Sequence, residues 1–255
     1  MSEQFHHGVV VGCDQNQEWL LSWWWENYIQ ENSLPVAFAD FGMSPEARSW
    51  CEERGFVYAV GEKKVPLKEE IEPSLVQFWE ENRSCEAVKA RSVWFKKPFA
   101  LLHCPFEIGL WLDLDCEVLG PLEPIFEYIE PSSGIALAPL AEKWQKKAQD
   151  EGICLPGEVM YNSGVIAFHC HAPVLKKWAE ESFHHNHLFF GDQDVLSRVI
   201  FKEGYKVGEL PDVYNWMMGA GIHLGAVIVH WVEKTKEIIR THGGLRQMKE
   251  QLFHE

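Results

Sequence analysis

The chain has 255 residues, 46% of them hydrophobic and 12 of them tryptophan, so it can bury a sizeable core, and disordered and fibrous classes are excluded. Its formal net charge of -15 leaves no surplus of Lys and Arg to neutralise a nucleic-acid backbone or to dock on an anionic membrane. Seven cysteines at irregular spacings, with no CxxC pair, read as buried free thiols in a reducing compartment rather than as a zinc ribbon.

The length suits a single domain spanning 1–255. The polar residues 1–7 are not followed by a signal-type apolar segment, and Val9-Val10-Val11 is too short to span a bilayer. A cytoplasmic protein without membrane insertion is expected.

Residues 8–12 form a β-branched run bounded by glycines, which predicts a buried strand. Residues 15–30 carry Trp19, Leu20, Trp23, Trp24 and Asn27 at the spacing of a helix with a wide apolar face. A second strand is predicted over 35–41. Ser44-Pro45 then reads as an N-cap with Pro at the first helical position. That helix ends near Gly55, and 56–60 is a third strand. The β-α-β-α-β order predicts a parallel sheet covered by helices.

Residues 61–72 are charged and read as a loop. A helix interrupted or bent at Pro98 is predicted over 85–102, followed by a strand over 108–112, an extended piece from Val118, a short helix over 121–129 and a strand over 135–138. The polar, Lys-rich stretch 142–158 reads as a loop or a surface helix. A strand over 165–168, helices over 173–183 and 192–201, a late strand over 227–229 and a final helix from Lys234, broken at Gly243-Gly244, complete the pattern. The residues of Trp23-Trp24-Trp25 are expected mostly in the core, and His184, His185 and His187 on the surface.

Five short constellations carry chemistry. In Trp111-Leu112-Asp113-Leu114-Asp115, two acids at i and i+2 follow an apolar strand; on extended chain they point to one side, at the sheet edge where α/β proteins bind ligands. Two such carboxylates repel unless a cation lies between them, a role for Mn²⁺ or Mg²⁺ with substrate phosphates; they also read as caps of a turn. In Tyr161-Asn162-Ser163-Gly164-Val165, polar residues and a glycine just before a strand allow close backbone approach to a ligand, or mark an ordinary turn. Gly191-Asp192-Gln193-Asp194 reads as a helix cap on composition alone. His230 follows an apolar run, where a satisfied core or turn histidine is the commoner case, and Asp14 also reads as a helix cap.

Taken with Lys97-Pro98-Phe99-Ala100-Leu101-Leu102, these segments in this order resemble nucleotide-sugar-dependent glycosyltransferases of the GT-A fold, and most of all glycosyltransferase family 8. The resemblance implies an α/β fold with a Rossmann-like mixed sheet flanked by helices. It implies transfer of a hexose from a UDP-sugar to a hydroxyl of an unidentified saccharide or protein acceptor, with retention. Asp113, Asp115 and His230 would hold Mn²⁺ or Mg²⁺, and Asp113 would also face the donor diphosphate. Lys97, with Lys96 as the alternative, would contact the donor, as would Lys236, with Lys234 as the alternative. Asn162 would touch the donor sugar, and Asp192 and Gln193 would orient donor and acceptor. Asp14 and Asn16 would hold uracil and ribose. Family members often have Arg at the position of Lys97, and the Gly and Pro-Trp that accompany the family's C-terminal Lys are absent. A Mg²⁺-dependent nucleotidyltransferase and a non-catalytic nucleotide-sugar-binding protein are the alternatives.

Overall fold

The computed structural model describes residues 6–61, 70–83 and 85–253. The first half runs β1 (His7–Cys13), α1 (Leu21–Tyr28), β2 (Val36–Asp40), α2 (Pro45–Glu52), β3 (Phe56–Ala59), α3 (Pro73–Asn82), α4 (Cys85–Trp94), α5 (Lys97–Leu102), β4 (Ile108–Leu112) and β5 (Cys116–Val118). The second half runs β6 (Ile135–Pro139), α6 (Glu142–Asp150), β7 (Tyr161–His169), α7 (Pro173–His185), α8 (Asp192–Glu203), β8 (Gly208–Glu209), β9 (Trp216–Met217), β10 (Ile228–His230), α9 (Lys236–His242) and α10 (Leu245–Phe253).

Seven strands form one sheet in the order β3-β2-β1-β4-β7-β6-β8. The strands from β3 to β4 are parallel, and β7 then runs antiparallel between β4 and β6. Side chains alternate across the sheet, as a period of two requires. Val9 and Val11 join Leu20, Trp24 and Phe38 on the face covered by α1 and α2. Val10, Trp111 and Ile166 join Phe99, Trp178 and Leu196 on the face covered by α5, α7 and α8. Both faces are therefore apolar, which is why the parallel strands read as continuous hydrophobic runs. A second, three-stranded sheet, β5-β10-β9, lies beyond the carboxyl end of β4.

Several expectations shift. The first helix starts later than predicted, because residues 15–17 form a turn whose Gln17 N–H donates to the Asp14 carboxylate. Ser44 caps α2 as expected, its Oγ accepting from Ala47 N at 3.1 Å. Helix α3 went unpredicted. The helix over 85–102 is interrupted, one of the two expected forms, and Pro98 lies in the first turn of α5, where a missing N–H costs nothing. Strand β7 starts at Tyr161, so Asn162, Ser163 and Gly164 lie within it rather than before it. The loop expected over 61–72 falls largely outside the described residues. Trp24 is fully buried and stacked on Tyr28, with ring centroids 5.0 Å apart; His184 and His185 are exposed.

The C-terminal helix is tied to the small sheet by Glu117, which is fully buried in β5. Its carboxylate accepts from Trp231 Nε1 at 2.9 Å and from Leu245 and Arg246 N, both at 2.8 Å. The two backbone donors are the open N-terminus of α10, where an acid is favoured. Gly243 and Gly244, at φ of 72° and 95°, make the break between α9 and α10 that a side chain would strain. Among the described residues, no helix is long and apolar enough to cross a membrane.

Candidate active site

A cavity of about 310 Å³ opens where β4, β7, β10 and the N-terminus of α8 converge. Lys97, Asp113, Asp115, Asn162, Asp192, Gln193, His230 and Lys236 all line it. The two acids reach it by a different route from the one expected. They do not share one face of an extended strand; the chain turns at Leu114, with Cys116 N donating to Asp113 O at 2.9 Å. The turn buries Leu114 and brings Asp115 back toward β10, whose Trp231 N donates to Asp115 O at 2.9 Å.

Two lysines balance the acids. Lys97, at the start of α5, is buried; its Nζ lies 3.0 Å from Asp113 Oδ1 and 3.4 Å from Asp192 Oδ2. It also donates to Ser163 O at 3.0 Å and to Ser163 Oγ at 3.1 Å, and Ser163 Oγ in turn donates to Asp192 Oδ2 at 2.8 Å. Burial works against this ammonium, but the carboxylates of Asp113 and Asp192 outweigh it and hold its pKa above the ordinary lysine value. Lys236, at the start of α9, places Nζ 2.7 Å from Asp115 Oδ2. Lys234 lies outside this cavity, and Lys96 donates to the Phe41 carbonyl instead.

His230 ends β10 with its Nε2 3.4 Å from Asp115 Oδ1 and 4.0 Å from Asp113 Oδ2. The approach depends on Gly164, since a methyl group there would overlap the His230 ring. That is a physical reason for glycine in the Asn162-Ser163-Gly164 segment. Burial alone would raise the Asp115 carboxyl, but the Lys236 ammonium beside it holds it well below the ordinary carboxylate range. The two Asp115 oxygens are divided, one toward Lys236 and one toward His230.

The donor set suits a hard or borderline divalent cation. Carboxylate oxygens of Asp113 and Asp115 and the imidazole Nε2 of His230 could hold such an ion. Ligand atoms of Asp115, Cys116 and His230 lie within 4.8 Å of one another. Burial, with Asp115 and Asp113 beside it, pushes the Cys116 thiol well up in the absence of a cation.

Asp192, Gln193 and Asp194 open α8. Asp194 accepts from Gly191 N at 3.1 Å, so this acid, not Asp192, caps the helix. The segment before it is held by Arg91, which sequence reasoning missed. Buried in α4, Arg91 donates to the carbonyls of Asn186, Phe189 and Phe190 at 2.7, 2.8 and 2.9 Å. Burial lowers its pKa to about 10. Nothing in the local sequence marks it, because its partners are main-chain carbonyls almost a hundred residues away. Ser163, quoted only as part of a motif, and Asn215 are likewise brought to the site by tertiary contacts.

Burial pushes the Asp194 carboxyl up to about 6, against the opposing Gly191 N–H. For an acid whose native value is raised, the native state holds the proton longer than the unfolded chain does. Stability is therefore expected to fall as pH rises from near 3.8 to about 6, by about 3 kcal/mol in all. Asp194→Asn, which keeps an oxygen for Gly191 N, is expected to flatten that slope in urea unfolding curves and to raise stability at pH 7. An unchanged slope in the variant would count against the assignment.

Asp14 does not line this cavity. It is buried, and its oxygens accept from Gln17 N at 3.1 Å and Asn16 Nδ2 at 2.9 Å, a capping role. Exposed Asn16 borders an adjoining cavity of about 440 Å³, with Trp19, Lys234 and Arg240. Gln17 and Lys236 line both cavities. The opposite wall of the first cavity is aromatic and apolar, built by Trp94, Trp144, Ile153 and Phe190.

No protein-family model matches the chain, and no curated protein matches it. Solved structures do. The chain superposes on the galactosyltransferase LgtC in complex with donor and acceptor sugar analogs with a TM-score of 0.58 at 16% identity, covering 89% of this chain and 87% of that one. It superposes on mouse xyloside xylosyltransferase 1 with a TM-score of 0.56 at 14% identity, covering 91% and 98%. The glycosyltransferase GlyE of Streptococcus pneumoniae TIGR4 matches at a TM-score of 0.55 and 18% identity, over 90% of this chain and 55% of that longer one. The fold is the GT-A fold that these glycosyltransferases share, a mixed sheet flanked by helices.

Proposed function

We propose that the protein is a glycosyltransferase that moves a hexose from a UDP-sugar to an acceptor hydroxyl, with Mn²⁺ or Mg²⁺ held by Asp113, Asp115 and His230. One observation carries the reading: two acids, an imidazole nitrogen and two lysines from four separate segments converge on one cavity at the carboxyl end of β4. A nucleoside diphosphate leaving group needs cationic neutralisation at that edge. A divalent ion, when bound, supplies a Lewis acid for the diphosphate. Lys97 and Lys236 add fixed positive charge on either side of the acids. Asn162, Asp192 and Gln193 lie where the sugar would follow the diphosphate, and Asp192 is held in place by Ser163 and Lys97. Asn16 and Gln17 border the nucleoside end, with Asp14 shaping their turn. The aromatic wall around Trp144 is the acceptor side.

Retention follows from the family resemblance; on one face of the sugar, the departing phosphate can guide the acceptor hydroxyl in. The test is UDP release from a panel of UDP-sugars with and without Mn²⁺, followed by NMR of the product's anomeric configuration. Metal-dependent release from at least one donor, abolished by chelation, is expected. The reading fails if no donor yields UDP and none binds in a titration.

A further inference from the structure

The hydrogen bonds around Asn162 form a chain whose direction is decided by one main-chain donor. Gly164 N can only donate, and it lies 2.9 Å from the Asn162 side chain, so the acceptor there is Oδ1. The same Oδ1 is 2.9 Å from the Asn215 amide, which must therefore present Nδ2 to it. Asn215 then turns its Oδ1 to His230 Nδ1, 3.1 Å away, and that nitrogen must carry a proton. At the other end, Asn162 Nδ2 donates to Gln193 Oε1 at 3.4 Å, which leaves the Nε2 of that amide for a ligand. Asn215 and His230 are both buried, so water does not compete for these bonds.

We propose that Asn215 is a positioning residue that fixes the His230 imidazole as the Nδ1–H tautomer and, through Asn162, orients the Gln193 amide. One chain then sets both ends of the site: His230 Nε2 is unprotonated toward Asp113 and Asp115, and Gln193 offers a donor to the sugar. The inference deepens the glycosyltransferase reading and rests on it for the meaning of the two ends. A histidine ligand is ordinarily held by a partner on its other ring nitrogen, and losing that partner costs 10–100-fold in metal affinity or activity. Here that partner is an amide that is itself locked by a second amide.

The first measurement needs no variant and no nucleotide: ¹⁵N NMR of the metal-free wild-type protein under conditions where His230 is neutral. The Nδ1–H tautomer is expected, with His230→Gln assigning the signal, and an Nε2–H tautomer overturns the proposal. The second is calorimetric titration with Mn²⁺ alone. Asn215→Ala is expected to weaken Mn²⁺ binding by about tenfold or more. Asn215→Asp can still accept from His230 Nδ1 but cannot donate to Asn162. It is expected to retain near-wild-type Mn²⁺ binding, while KM for the donor rises and kcat falls. Wild-type Mn²⁺ affinity in folded Asn215→Ala, or identical donor kinetics in Asn215→Asp, would overturn the chain. If no UDP-sugar reacts even with wild type, the function reading fails while the tautomer and Mn²⁺ measurements still decide the positioning role.

Discussion

Asp115→Asn is expected to lower kcat/KM for sugar transfer by about 10³-fold, the scale of removing one fixed group that stabilises developing charge. The argument is geometric. Asp115 is buried and divides its two oxygens between Lys236 at 2.7 Å and His230 at 3.4 Å. The amide removes the negative charge that would hold a cation beside His230, and it leaves Lys236 without its counter-charge. Shape and volume barely change, but a buried charge pair is broken, so urea unfolding of the variant separates lost stability from lost activity. The measurement is donor kinetics at saturating Mn²⁺ together with Mn²⁺ titration. A variant within tenfold of wild type in both would remove Asp115 from the metal and diphosphate end.

Lys97→Met is expected to cost about 3–5 kcal/mol of stability at pH 7, the ordinary result of deleting one member of a buried ion network. Lys97 is the cation between Asp113 and Asp192, and its side chain is 6% exposed. Without it two carboxylates face each other, along with a Ser163 hydroxyl and carbonyl that lose their donor. The sign with pH follows from Asp192. Burial already raises its carboxyl, with Lys97 opposing, so deleting Lys97 raises it further. An acid with a raised native value weakens the fold as pH rises. The variant's deficit is therefore expected to shrink as pH falls below the Asp192 value and to be full above it, in urea denaturation from pH 4 to 8. Lys97→Arg keeps the charge and is expected to recover most of the stability. A flat deficit across pH, or no recovery with Arg, would show that packing rather than charge sets the cost.

Much of the architecture was legible locally. Gly8 to Gly12, Ser44-Pro45 and the apolar runs before Asp113 and after Asn162 carry period and capping signals that a single segment holds by itself. The departures have local physical causes as well. The turn at 15–17 arises because Asp14 captures a backbone N–H, and the break before α5 falls where Pro98 removes a helix donor. Helix α3 had its signal, Pro73 at the first turn with Val76 and Trp79 three apart, but it was not read.

The candidate site divides in the same way. Residue types at given spacings, above all Asp113-Leu114-Asp115 and Asp192-Gln193, are properties of the sequence, because both members of each motif lie on one short piece of chain. Which partner each group meets is not such a property. Lys236 rather than Lys234 faces Asp115 because of where the chain turns into α9 after β10. Arg91 and Asn215 act through hydrogen bonds to residues 15 to 99 positions away. His230 reaches the acids only because Gly164 on a neighbouring strand leaves room for its ring. The sequence by itself determined which chemical groups are present and which elements carry them, since periodicity and capping are short-range. Tertiary structure alone decided which oxygens, amides and ammonium groups share the cavity, because those contacts depend on strand order and register that no single segment encodes.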